Sequence, residues 1–202
     1  MNYEGVNTRS DKVPTDSDSR ERDLVLRSKR GDRSAFGELV KNHMRRAYYV
    51  ALGLVGSHDD ALDISQEAFA RAFDARDALD PERPYYPWLY QILRRLSFNH
   101  LRNRKTRRAR LDAEAHWIVA DATSRAAVDD PARQVERLEV RERIGTAIEE
   151  LSQWEREVFV LRQFEDLRYR EIAELLKIPV GTVMSRLYSA RRSLAAQLED
   201  LL

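Results

Sequence analysis

Apolar residues recur along this chain at helical spacing, and the pattern breaks at glycines and prolines. Phe36, Leu39, Val40, Ala47, Val50, Ala51 and Leu54 share one face of a helix predicted over 34–55, stopping at Gly56. A short helix of about 21–30 precedes it and ends at Gly31, which suits the left-handed position after a helix. Ser57, with Asp60 three residues on, opens a helix of 58 to about 76. That helix is expected to bury Leu62, Phe69 and Phe73, with Asp60, Asp63, Glu67 and Asp74 lining its other face around Ile64. The next helix starts at Pro84–Pro87, where a missing N–H costs nothing, and buries Leu89, Ile92, Leu93 and Leu96.

From 111 to 131 the pattern dissolves into an Ala-, Asp-, Ser- and Thr-rich run, read as a flexible linker. Helical spacing returns over 134–151. Ser152 and Glu155 then form a capping-box pair, opening a helix that carries Trp154, Val158, Phe159 and Leu161. A helix over 169–176, a tight turn at 177–179 and a last helix from 180 to about 198 complete a helix-turn-helix pattern. Val180, Val183, Leu187, Ala190 and Leu194 form the expected buried stripe of that last helix. The predicted fold is all-α. A polar leader over 1–19, read as disordered, precedes an N-terminal domain over 20–110. A linker over 111–132 joins it to a C-terminal helix-turn-helix domain over 133–202.

Composition changes this picture little. Seven glycines and six prolines in 202 residues argue against an all-β chain. The net charge of +1 averages opposed blocks: 59–67 is acidic, 94–110 basic and 134–157 acid-rich. Such a layout permits one surface for a polyanion and another for a basic partner. The absence of cysteine excludes disulfides and thiolate metal sites. The longest uncharged apolar run, 47–56, is too short to span a bilayer, and the first residues lack an apolar signal core. A cytoplasmic chain without membrane insertion is expected.

The helix after Pro84 carries the most informative chemistry. Opposite its buried stripe stand Gln91, Arg94, Arg95, Phe98, Asn99 and Arg102. Tyr85, Tyr86 and Trp88 stand at its start, and Arg104, Lys105, Arg107, Arg108 and Arg110 follow without an acid among them. Cations hold phosphates, while aromatic rings and guanidinium planes stack on unpaired bases. A bundle helix with a solvated charged face is the alternative, but it has no use for Phe98. The acidic line before it is either a solvated outer face or a dock for a basic protein surface. In the last helix Gly181, Ser185, Tyr188, Ser189 and Arg192 face away from the stripe, flanked by Thr182, Arg186 and Arg191. These suit groove insertion with phosphate clamping, although a plain helical hairpin gives the same wheel. His43, His58, His100 and His116 lack metal-ligand spacing, and no glycine-rich phosphate loop or nucleophile–base pair occurs. No enzyme activity, metal or cofactor is expected.

Three stretches together resemble an extracytoplasmic-function (group IV) RNA polymerase sigma factor: DALDISQEAFARAF at 60–73, YYPWLYQILRRLSFNHLRNRK at 85–105, and LSQWEREVFVLRQFEDLRYREIAELLKIPVGTVMSRLYSARRSL at 151–194. The resemblance implies a two-domain initiation factor that binds core RNA polymerase and promoter DNA. It places Asp60, Asp63, Gln66, Glu67 and Phe69 on the polymerase-binding helix, Phe69 as packing. It places Tyr85, Tyr86, Trp88, Gln91, Arg94, Arg95, Asn99 and Arg102 at the opened −10 strand, where the basic face adds Phe98. It places Thr182, Ser185, Arg186, Tyr188, Arg191 and Arg192 at the −35 duplex. The loop 80–86 would border a pocket for a flipped base, and the linker would thread towards the RNA exit path. Arg95, Asn99, Met184 and Ser189 depart from the family's usual residues. Met184 suggests apolar readout, as of a thymine methyl. Family analogy and the linker together imply an anti-sigma partner. The rival readings are a helix-turn-helix regulator that binds only duplex DNA and a hydrolase using surface carboxylates.

Overall fold

A computed structural model describes residues 16–114 and 143–199. Helix α1 (Asp16–Lys29) begins inside the stretch read as a leader. Asp16 and Asp18 in its first turn favour the positive end of the helix dipole. Residues 1–15 lie outside the described residues. Helix α2 (Arg33–Val55) is capped by Asp32, whose Oδ1 accepts from the N–H groups of Ser34 and Ala35 at 2.9 and 3.1 Å. It ends, as its sequence predicts, at Gly56, with φ of 77°.

Helix α3 (His58–Asp74) starts at its Ser57 cap and buries Phe69 as expected, but its inner face is shifted from the one expected. Its inner stripe is Ala61, Ile64, Ser65, Ala68, Phe69 and Ala72. Leu62, expected in the core, is 45% exposed, whereas Ile64, expected among the acids, is 7% exposed. Phe73 is only half-buried. Three alanines and a serine let α3 lie close against α2 and α4, and a stripe of small residues is easily missed when large apolar side chains are sought. A 3-10 turn (Arg76–Ala78) leads towards α4 (Tyr85–Glu114). Helix α4 runs past position 111, where the linker was expected to begin; the remaining linker residues lie outside the described residues.

Residues 143–150 are helical. Helix α5 (Gln153–Gln163) follows with the predicted capping box in place. Ser152 Oγ accepts from the Glu155 N–H, and Glu155 Oε2 accepts from the Ser152 N–H at 3.1 Å. Helices α6 (Tyr169–Leu176) and α7 (Val180–Gln197) flank a turn in which Lys177 adopts φ of 55°. Val180, expected in the buried stripe of α7, is exposed; the stripe begins at Val183. No helix of the described residues is long and apolar enough to cross a membrane.

The two domains pack directly on each other. One core runs from Leu39, Val50, Leu89 and Leu93 of the first to Val158, Val160, Leu161, Ile172 and Leu187 of the second. A smaller cluster joins Ala147 and Leu151 to Ala190 and Leu194. At Gly53 the two domains come close enough that a Cβ would stand 2.8 Å from Val160 Cγ2. Beside it, buried Arg156 donates Nη1 to the Leu54 carbonyl at 2.8 Å, completing the C-terminal end of α2 from another domain.

Candidate nucleic-acid interface

The basic helix α4 is anchored at its start by α1. Neither Pro84 nor Pro87 can donate a backbone hydrogen bond. Glu21 of α1 serves the first turn as an acceptor. Its Oε1 accepts from the Tyr85 N–H at 2.9 Å, and its Oε2 lies 3.0 Å from His43 Nε2. The His43 ring lies against both Tyr85 and Tyr86, with centroids 5.3 and 5.8 Å apart. The bond to His43 holds the Glu21 carboxyl below its ordinary range, with help from the Tyr85 amide and against the effect of burial. Because the folded state depresses this pKa, the contribution is full above about pH 5 and is lost as pH falls through the folded value. Glu21→Gln keeps the acceptor and removes the charge. We expect it to destabilise the protein by about 1 kcal/mol at pH 7. In urea unfolding that difference should shrink steadily as the pH is lowered below the ordinary carboxylate range.

Tyr85 and Tyr86, expected on the exposed basic face, are 1% and 4% exposed. Their rings turn under the start of α4, where burial pushes both phenols well above their usual range. The Arg46 guanidinium lies 3.5 Å from the centre of the Tyr86 ring and pairs with Glu165 of the second domain. Burial raises the Glu165 carboxyl, and Arg46 opposes that rise. Phe98, which the sequence left to the basic face, is half-buried and packs against the core.

What remains of the face surrounds a cleft of about 640 Å³, lined by Trp88, Gln91, Arg94, Arg95, Phe98 and Asn99 with Arg71, Ile92 and Leu96. Arg95 is exposed and has no polar partner among the described residues. Arg102 donates to Asn99 Oδ1 at 3.3 Å. Gln91 instead donates to the Leu175 carbonyl of the second domain at 2.9 Å. Arg94 makes a two-point contact with Glu157 of α5, through Nε to Oε1 and through Nη2 to Oε2 at 3.2 Å. Tyr90 donates its hydroxyl to the same carboxylate at 2.8 Å, and Glu157 is fully buried. Burial works against the charge on Arg94, but the Glu157 contact outweighs it and raises its pKa. The Tyr90 phenol is pushed well up, first by burial and then by the Glu157 charge. Tyr90, Trp154 and Glu157 were not among the expected site residues. Glu157 sits in an acid-rich run that reads as solvated, 67 residues from its tyrosine donor.

On α3, Asp63, Gln66 and Glu67 are exposed, and Glu67 pairs with Arg71 at 2.7 Å. Asp60 is half-buried and lies 3.2 Å from His100 Nε2, tying α3 to α4. Phe69 is buried at 4%, a packing residue. Exposed Leu62 joins this face instead. On α7, Ser185, Arg191 and Arg192 are exposed, with Met184 and Tyr188 at 53% and 69%. Thr182 is half-buried, and its carbonyl accepts from Ser185 Oγ at 3.1 Å. Ser189 does not face outward freely: it donates to Glu155 of α5. Arg186 lies over the Trp154 ring, 5.2 Å from its centre.

Family models describing Sigma-70 region 2 and Sigma-70 region 4 match residues 39–107 and 141–194. The ECF RNA polymerase sigma factor SigW of Bacillus subtilis is 35% identical over 186 residues, covering 88% of this chain and 96% of that protein. The chain belongs to the extracytoplasmic-function family of RNA polymerase sigma factors. The RNA polymerase sigma-H factor of Pseudomonas aeruginosa is 33% identical to this sigma factor, covering 89% of it and 94% of its own length. Among solved structures, CnrH in complex with the cytosolic domain of CnrY aligns with a TM-score of 0.63 at 25% identity, over 90% of this chain and 98% of that one. The sigma factor RpoE of Bartonella quintana, in complex with the anti-sigma factor NepR, shares the fold with a TM-score of 0.60 at 24% identity, over 81% and 96%. The matched regions place α2–α4 in region 2 of the sigma factor and α5–α7 in region 4.

Proposed function

We propose that this sigma factor docks on core polymerase through the outer face of α3 and captures the opened −10 strand along α4. Leu62, Asp63, Gln66 and Glu67 form the docking face. Trp88, Arg94, Arg95, Asn99 and Arg102 hold the strand, while Met184, Ser185, Tyr188, Arg191 and Arg192 on α7 read the −35 duplex. The observation that carries the strand assignment is the cleft beside Trp88 and Asn99, with Arg95 free at its edge. A duplex reader needs a groove-filling helix, and α7 is one; it has no use for an aromatic and basic cleft on a second helix. Binding, not hydrolysis, opens the strands, so the chain works in the cytoplasm as a factor rather than an enzyme. The structural likeness to CnrH bound by CnrY supports a protein partner that holds this chain inactive.

Run-off transcription with purified core polymerase and host genomic fragments tests this reading. A promoter-specific transcript is expected, and its absence on every fragment would sink the assignment. Leu62→Ala with Asp63→Ala should weaken polymerase binding about tenfold, roughly 1.4 kcal/mol, and leave the opening of preassembled complexes unchanged. Arg95→Ala should do the reverse. Equal losses in both assays would remove the division of labour.

A further inference from the structure

The residues proposed to hold the −10 strand are partly occupied already. Glu157 presents a carboxylate to Arg94, as a strand would present a phosphate. Trp154 sets its ring edge-on to Phe98, with centroids 6.2 Å apart, and so covers the aromatic platform on which a splayed base would stack. The same indole lies 5.7 Å from the Arg94 guanidinium and 5.2 Å from that of Arg186 on the duplex-reading helix. Gln91 is turned to the Leu175 carbonyl. One surface of the C-terminal domain therefore engages cation, aromatic and amide of the strand cleft while drawing in an arginine of the second DNA-reading element.

We propose that Glu157 and Trp154 form an internal latch, a mimic of phosphate and base, that closes the C-terminal domain over the strand cleft in the free protein. This rests on the strand-capture reading above. In the closed form strand and latch compete for Arg94 and Phe98. Opening the joint exposes them together with Arg186. Two features make the latch separable from the strand site. Glu157 lies on α5, outside both DNA-reading helices. Gly53 lies on α2, away from the cleft, yet any side chain there meets Val160 across the joint. Gly53→Leu therefore wedges the domains apart without altering a strand contact, and it replaces a helix-interior glycine with a better helix former.

The native chain has no cysteine, so Glu38→Cys on α2 and Arg170→Cys on α6, both exposed, accept a fluorophore pair for energy transfer across the joint. The second measurement is anisotropy of a fluorescein-labelled mixed-sequence DNA single strand with the full-length chain. Glu157→Ala and Gly53→Leu should each lower energy transfer and tighten strand binding about tenfold, the gain expected when a largely closed population is released. Their combination should add little, because both release the same joint. Arg95→Ala should weaken binding in the opened variants. Unchanged energy transfer in both variants overturns the latch. So does a native chain that binds strand as tightly as the opened variants; in either case strand capture stands if Arg95→Ala still weakens binding. Lowered energy transfer with no strand binding by any variant overturns strand capture and the competition with it. Glu157→Gln, which keeps size and a hydrogen-bonding oxygen, should fall between native and Glu157→Ala; matching circular dichroism spectra show that all variants are folded.

Discussion

Phe69→Ala is expected to cost about 3–5 kcal/mol of unfolding free energy in the N-terminal domain, the range for emptying a buried phenylalanine site. Phe69 lies on the inner face of α3 at 4% exposure, among Ala61, Ala68 and Ala72. Alanines on either side have no rotamers with which to fill the void, so little of the loss can be recovered by repacking. Leu62, at the exposed edge of the same helix, should lose less than about 0.5 kcal/mol on truncation. Urea denaturation of the two variants checks the contrast. A similar stability loss for both would mean that Leu62 shares the core with Phe69, as the large apolar residues of α3 first suggested.

The second large effect concerns Arg94. Its removal leaves the Glu157 carboxylate buried with, among the described residues, only the Tyr90 hydroxyl as donor. Stripping one partner from a buried, hydrogen-bonded charge pair costs about 2–5 kcal/mol, most of it the penalty on the charge left behind. Arg94→Ala should therefore undo domain packing as well as strand contact, and calorimetry should resolve separate melting of the two domains. Arg94→Ala combined with Glu157→Ala should pack better than Arg94→Ala alone, since the orphan carboxylate is gone. A double variant at least as loosely packed as the single one would show that Glu157 is not the charge at issue.

Most helix boundaries were legible because they are written locally. Gly56, Ser57 and the Ser152–Glu155 pair each act on backbone within a few residues, and each helix stops or starts where they stand. The inner face of α3 was misread because its packing depends on the smallness of alanines rather than on the size of leucines. Tyr85 and Tyr86 were misassigned for a different reason. An aromatic beside a basic run suits a base or a core equally well, and His43 and Arg46, some forty residues earlier, decide for the core. The Glu157 contact was illegible in principle from periodicity. A glutamate among glutamates reads as solvated until another domain is brought onto it.

The end of α2 is finished by Arg156, and Arg104 also reaches the Val55 carbonyl at 3.4 Å while pairing with Glu149 at 3.3 Å. Helix-end carbonyls are groups that water serves as well as an arginine does. When the domains part, water can replace Arg156 at the Leu54 carbonyl, while Arg104, on α4 of the same domain, stays with Val55. At this end the apolar joint carries a polar seat, and α2 remains a finished helix whether or not the second domain's arginine is in place.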